Sequence, residues 1–235
     1  MHYSFGPGPV TPAVKAIIWA NIAAFVVTLF FEEIILFLGL MPQAVVERGW
    51  IWQPATYMFL HAGPMHILFN MLGIWMFGVE LERMWGTQFF ARYYAITGVG
   101  AGLTVIAAGF VPVDALQATY GAVTIGASGA LYGLLMAFAI YFPDRPILMF
   151  LLFPIPAKYF VMILGALTFM IAPGSNVSNA AHLGGLAFGY AYLKSRTGGG
   201  GGSLSAEIKY RYLKWKMNRL RRKFDVYSGG KSHWD

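Results

Sequence analysis

Residues 126–142 read GASGALYGLLMAFAIYF, seventeen positions without Asp, Glu, Lys or Arg. A helix on the surface of a soluble protein keeps one polar face, whereas a helix that is apolar all round sits in protein or lipid. A bilayer crossing takes about 20 residues, so this helix is short and needs protein around it. Five more apolar stretches surround it, at 13–31, 65–85, 89–110, 157–171 and 180–193. The chain of 235 residues is 57% hydrophobic and 11% charged, with a mean hydropathy of +0.57. A soluble domain carries about a quarter charged residues. These figures exclude a disordered chain, a disulfide scaffold and an ordinary soluble enzyme. They predict an all-α fold, a polytopic transmembrane bundle of six spans. The absence of Cys removes disulfides, thiolate metal sites and cysteine nucleophiles together.

The connections divide by charge. No small-residue cleavage site follows the first apolar stretch, so it is read as a retained span. Residues 32–63 are partly apolar, broken by Pro42 and Pro54 and rich in Trp50, Trp52 and Tyr57. That composition predicts a loop lying at the membrane interface. The apolar approach ILMFLLFPIP at 147–156 is placed at the interface too. Arg83, Arg92, Arg145, Lys158, Lys194 and Arg196 fall on one side of the bundle. The other side holds Arg48 against Glu32, Glu33, Glu47 and Asp114. Positive-inside bias then puts both termini in the cytoplasm of a plasma-membrane protein, in agreement with an even number of spans. Residues 1–197 form the membrane domain, with a net charge of +1; residues 198–235 carry nine Lys/Arg and three Asp/Glu. Within that tail, GGGGGS at 198–203 reads as a flexible linker. Residues 204–235 read as a basic cytoplasmic tail with an amphipathic helix near 204–224. Such a helix after a membrane domain meets anionic lipid more readily than nucleic acid.

Polar groups inside spans are costly and mark function. Four stand out: His66 and Asn70, four apart on one helix face; Ser128; and His182. The orientation above puts all four near the non-cytoplasmic starts of the second, fourth and sixth spans. A serine is a weak nucleophile until a base takes its proton, and His182 can do so and then protonate a leaving amine. Donors must face the oxygen on which charge develops; His66, Asn70 and the Ser128 amide at a helix N-terminus can supply them. No Asp or Glu neighbours His182, which points to a dyad rather than a triad. Gly129 and Gly133 on one helix, with Gly185 and Gly189 on the other, allow the close approach this needs. Tyr132, one turn below Ser128, can pack on the His182 ring.

In order and spacing, His66–Asn70, Gly126–Tyr132 and 181–189 match H-x-x-x-N, G-x-S-G-x-x-Y and A-H-x-x-G-x-x-x-G. This set resembles the signature of the rhomboid intramembrane serine proteases of the bacterial six-span type, over residues 12–195. The resemblance implies Ser128 as nucleophile, His182 as general base, and His66, Asn70 and the Ser128 amide as oxyanion hole. Gly126, Gly129, Tyr132, Gly185 and Gly189 support them. It further implies that the loop at 32–63 is membrane-embedded and that the fifth span is a mobile gate. One departure is Gln53, where relatives often carry Arg after the loop Trp; this bears on how the loop is anchored.

Other readings weigh against these. His61 suits a structural hydrogen bond. His61, His66 and His182 lack the carboxylate and H-E-x-x-H pattern of a zinc site, so no metal and no cofactor are expected. Glu80, Glu82 and Arg83 suit an ion pair or a helix-end bond. Three function classes stand: an endopeptidase, a catalytically silent rhomboid-like binder of membrane proteins, and a transporter. The last would carry inverted repeats and polar groups at the midplane. The expected partners are transmembrane protein substrates and membrane lipids, with no nucleic acid; the sequence leaves the oligomeric state open.

Overall fold

The computed structural model describes residues 7–149, 153–170 and 176–197. The expected linker at 198–203 and the basic tail at 204–235 lie outside these. Met1–Tyr192 forms one compact unit. Of the second unit, Leu193–Asp235, the described part is the end of one helix carrying Lys194 and Arg196.

The first predicted span is helix α1, Pro12–Phe30, opened by a proline whose missing N–H costs nothing in a first turn. Its free N–H groups at Ala13 and Val14 are accepted by the Glu82 carboxylate at 2.9 and 3.0 Å. Thr11 and Thr87 donate their hydroxyls to the same carboxylate at 2.5 and 2.8 Å. Arg83 donates to the carbonyls of Pro7 and Pro9, and Glu80 pairs with Arg145 at 2.9 Å. These three charged residues therefore hold helix ends together.

The interfacial loop is more ordered than a loop. It folds into α2 (Glu33–Leu38), α3 (Pro42–Arg48), α4 (Gln53–Thr56) and a 3₁₀ turn at Tyr57–Phe59. Gln53, fully buried, clasps it: its amide donates to the carbonyls of Leu36 and Phe37 and its oxygen accepts the Met41 N–H. Trp52 Nε1 donates to Phe37 O at 2.9 Å, and Thr56 Oγ1 to Leu38 O at 2.6 Å. Where an arginine was the expected anchor, a neutral amide does the work. Trp50 and Trp52 stack as an aromatic cluster with Phe37. Tyr57, expected to join them at the interface, is instead buried.

The second span runs from Pro64 to Trp85 as α5 (Pro64–Gly73), a wide π turn at Ile74–Gly78 and α6 (Val79–Trp85). Helix α7, Thr87–Ala108, lies at the centre and packs mainly on the fourth predicted span. A short α8, Asp114–Gln117, interrupts the loop that leads to that span, α9 (Ser128–Tyr141). After α9 the all-α expectation fails locally. Pro146–Met149 (β1) and Phe153–Pro156 (β2) pair antiparallel, with Pro146 opposite Pro156 and Ile147 opposite Ile155. Three prolines deny this segment helical hydrogen bonds, and an isolated ribbon has free edges on which prolines are tolerated. Helix α10 is Ala157–Met170 and α11 is Asn176–Thr197. The latter starts before residue 180, so His182 stands in its second turn rather than its first.

Among the described residues, α1, Pro64–Trp85 and α7 are long and apolar enough to cross a membrane, and α9 and α10 are shorter apolar helices. The protein is an integral membrane protein of helical type.

Candidate active site

Backbone pairing with the folded loop delivers the chain to Ser128. Leu40 and Thr124 exchange both N–H···O bonds, at 2.9 and 2.8 Å, and the Gly126 N–H donates to the Tyr57 carbonyl at 3.0 Å. Gly126 has φ +128°, a conformation that L side chains rarely adopt, and a Cβ there would lie 2.9 Å from Cε1 and Nε2 of His66. Only glycine meets both conditions. Ala127 caps α9 and Ser128 is its first residue, so the serine amide is one of the helix's free N–H groups.

His182 is brought in by close helix contact. A Cβ on Gly185 would press into the Gly129 carbonyl group, and one on Gly189 would lie 3.2 Å from Gly133 Cα. With no side chains between them, α9 and α11 touch backbone to backbone. Ser128 Oγ and His182 Nε2 stand 2.8 Å apart. The Tyr132 ring stacks on the imidazole, centroids 4.1 Å apart and planes within 5°. His182 Nδ1 is buried with no hydrogen-bond partner among the described residues. Among the described residues, the Tyr132 stack and the Ser128 hydroxyl, and no carboxylate, orient this ring.

His66 comes from the first turn of α5. Its Nδ1 accepts the Ala62 N–H at 3.3 Å. A neutral imidazole that accepts at Nδ1 carries its proton on Nε2, and Nε2 is the nitrogen beside Gly126. A donor therefore stands two residues from the serine. Asn70 is buried on the same helix face; its amide nitrogen donates to the His66 carbonyl at 2.8 Å, which engages one of its two N–H bonds. Its Oδ1 has no partner among the described residues. His61 departs from expectation. It is buried edge-on against His66, centroids 4.9 Å apart, and neither ring nitrogen has a partner in hydrogen-bond geometry among the described residues. Burial, with His66 beside it, lowers its pKa to about 4, against a smaller upward pull from the Phe59 carbonyl.

A hydroxyl bonded to an imidazole, a nearby ring N–H and a helix-terminal amide can carry out acyl transfer. Residues 48–196 match the model of the Rhomboid domain. The chain belongs to the rhomboid family. Curated rhomboid proteins of plants and bacteria are similar to it. RHOMBOID-like protein 5 of Arabidopsis thaliana is 35% identical over 101 residues, 43% of this chain and 30% of that one. Rhomboid protease GluP of Bacillus subtilis is 34% identical over 158 residues, 67% of this chain and 28% of that one. Putative rhomboid protease YdcA of the same organism is 32% identical over 147 residues, 62% and 67% of the two chains. This rhomboid chain spans about a third of the length of the first curated relatives it matches.

Sequence reading missed Tyr57. Its carbonyl holds Gly126, its hydroxyl donates to Gly98 O at 2.8 Å, and it is 1% exposed. The aromatic richness of 50–57 was visible, but nothing in it separates a ring bound for lipid from one bound for the core.

Proposed function

We propose that this rhomboid protein is an intramembrane serine endopeptidase that cleaves transmembrane-anchored proteins within or near the membrane. The observation that carries the reading is the 2.8 Å approach of Ser128 Oγ to His182 Nε2 under a stacked Tyr132. His182 takes the serine proton as Oγ attacks a peptide carbonyl. Negative charge on the carbonyl oxygen faces His66 Nε2–H, the Asn70 amide and the Ser128 N–H, where preorganised donors are strongest. The imidazolium then protonates the leaving amine, and water repeats the cycle on the acyl-enzyme. The active site is a dyad. Six spans over residues 1–197 place it toward the non-cytoplasmic face of the plasma membrane, with both termini in the cytoplasm. A Gly/Ser linker at 198–203 then leads to a basic tail at 204–235 that meets anionic lipid.

The test uses purified protein in lipid with a labelled transmembrane peptide, fragments mapped by mass spectrometry, beside fluorophosphonate labelling. Ser128→Ala and His182→Ala are expected to abolish cleavage while staying folded, and Ser128→Ala to abolish labelling. Cleavage retained by Ser128→Ala overturns the mechanism. A folded wild type that binds the peptide and never cuts it supports the silent binding factor instead.

A further inference from the structure

One buried residue, Tyr57, flanks the main chain on both sides of Ser128, with its own carbonyl before the serine and its hydroxyl after it. The Tyr57 carbonyl accepts the N–H of Gly126, two residues before the serine. The Tyr57 hydroxyl lies 2.9 Å from where a Cβ of Gly129 would stand, one residue after it. The ring spans a helical turn of α7: it rests against Gly102, where a Cβ would be 3.1 Å from Tyr57 Cε1, and its hydroxyl ends on Gly98 O. Behind it, the Gln53, Trp52 and Thr56 hydrogen bonds hold α4 against the end of α2.

We propose that Tyr57 is a positioning residue for the serine, a strut from α7 and the folded loop that fixes the main chain of 126–129. The assignment rests on the protease reading above and extends it to a residue that contacts neither Ser128 nor His182 in that reading. Its chemistry is geometric. The Ser128 N–H serves the oxyanion only within about 2.7–3.1 Å of it, and Oγ and N–H share one residue at the first position of α9. A tilt of that first turn moves both together. Gly126 and Gly129 have no side chains to resist such a tilt, and Gly129 must stay bare because Ala101 Cβ and Tyr57 Oη crowd it at 2.7 and 2.9 Å. Tyr57 supplies from outside the stiffness that the glycines lack. Substrate binding does not depend on it, so its loss falls on kcat and not on KM.

Tyr57→Phe removes the hydroxyl and keeps the ring and the carbonyl contact. The matched control is Tyr93→Phe, which deletes a like bond from α7 to α9, Tyr93 Oη to Gly133 O at 2.7 Å, one turn further from the serine. Both are assayed as full chains in lipid with the labelled transmembrane peptide, with Ser128→Ala as the blank. Tyr57→Phe is expected to lose about tenfold or more in kcat, since misplacement by about 1 Å costs about a hundredfold. KM should stay within about twofold, fluorophosphonate labelling should slow in step with kcat, and Tm should match Tyr93→Phe. Tyr93→Phe should keep wild-type kcat. If Tyr57→Phe does not fold, Gly102→Ala sets a Cβ 3.1 Å from both Tyr57 Cε1 and the Pro54 carbonyl oxygen and so crowds the ring while keeping its hydroxyl, and kcat should again fall at constant KM. Wild-type kcat in a folded Tyr57→Phe or Gly102→Ala overturns the assignment alone. So does an equal loss of kcat in Tyr57→Phe and Tyr93→Phe that follows Tm. Wild-type protein without Ser128-dependent labelling overturns the protease reading, and this assignment with it.

Discussion

Gly185→Ala adds a single methyl group, and the structure says where it goes. The new Cβ would lie 3.0 Å from the carbonyl carbon of Gly129 and 3.4 Å from the Gly133 nitrogen, and closer still to the Gly129 oxygen. All three are backbone atoms of α9 and have no rotamer to change. Carbon atoms pack best at about 3.5–4.0 Å, so the carbon contact alone asks for about 0.5–1 Å of separation between α9 and α11. His182 is three residues earlier on α11, within one turn. The same separation carried to its ring stretches the 2.8 Å Ser128–His182 bond to about 3.3–3.8 Å, to or past the limit of a hydrogen bond. Overpacking of this kind destabilises by about 1–3 kcal/mol, and misplacing a reacting group by about 1 Å costs about a hundredfold in rate. Activity should therefore fall much more than stability.

The assay pairs peptide cleavage in lipid with thermal unfolding, and its control is Gly165→Ala. Among the described residues, a Cβ at Gly165 meets only Leu186 Cδ1, at an ordinary 3.8 Å. Gly165→Ala should keep wild-type kcat, whereas Gly185→Ala should lose about a hundredfold with a modest drop in Tm. Gly185→Val should lose the fold as well. A stable Gly185→Ala with wild-type turnover would refute the argument, because the backbone contact would then not set the distance between serine and base.

Three further outcomes follow from named contacts. His66→Ala and Asn70→Ala should each lower kcat by about 10²–10³ with little change in substrate binding, the usual loss for one oxyanion donor; unchanged turnover would show that the side chain only packs. Gln53→Leu leaves the Met41 N–H and the Leu36 carbonyl without their partner. At about 1–3 kcal/mol for each buried orphan, it should cost about 2–6 kcal/mol, read as a lower Tm; an unchanged Tm would mean that water replaces the amide freely. His61 should make stability depend on pH. Its pKa is lowered from 6.5 to about 4, so the unfolded chain binds the proton more readily, and stability is full above pH 6.5 and lost as pH falls toward 4. His61→Phe should flatten the fall of Tm across that window, and parallel Tm profiles for the two proteins would refute it.

The membrane helices were legible because their signal is amount of apolar surface, which needs no partner to interpret. The first predicted stretch at 13–31 and α1 at Pro12–Phe30 differ by one residue. Which face of each helix meets protein was not legible. In water the apolar face points inward, but in lipid both faces are apolar. Met65 and Phe69 are as hydrophobic as Ile74 and Phe77, yet the first two are exposed and the last two buried. Size replaces polarity as the informative property, which is why the glycine pairs foretold the contact of α9 with α11. The folding of 32–63 and the pairing of β1 with β2 were hidden for a different reason. Their elements span only three to seven residues, too few to show a period, and tertiary hydrogen bonds such as those of Gln53 hold the loop's elements in place.

That no acid stands beside His182 among the described residues has a physical explanation in the same terms. A carboxylate buried in hydrocarbon needs several donors to offset its desolvation, as Glu82 shows: two hydroxyls and two helix N–H groups surround it at the start of α1. Around His182 the described contacts are the Ser128 hydroxyl and the Tyr132 ring, and no such set of donors is present among the described residues. A stacked phenol holds an imidazole plane without adding a charge, and so avoids the desolvation cost that a lone buried carboxylate would carry. The consequence separates this ring from that of a soluble triad. Tyr132→Phe keeps the stack and should leave turnover near wild type, whereas Tyr132→Ala frees the ring and should lower kcat with KM unchanged. A large loss in Tyr132→Phe would assign the orientation to the hydroxyl and not to the ring face.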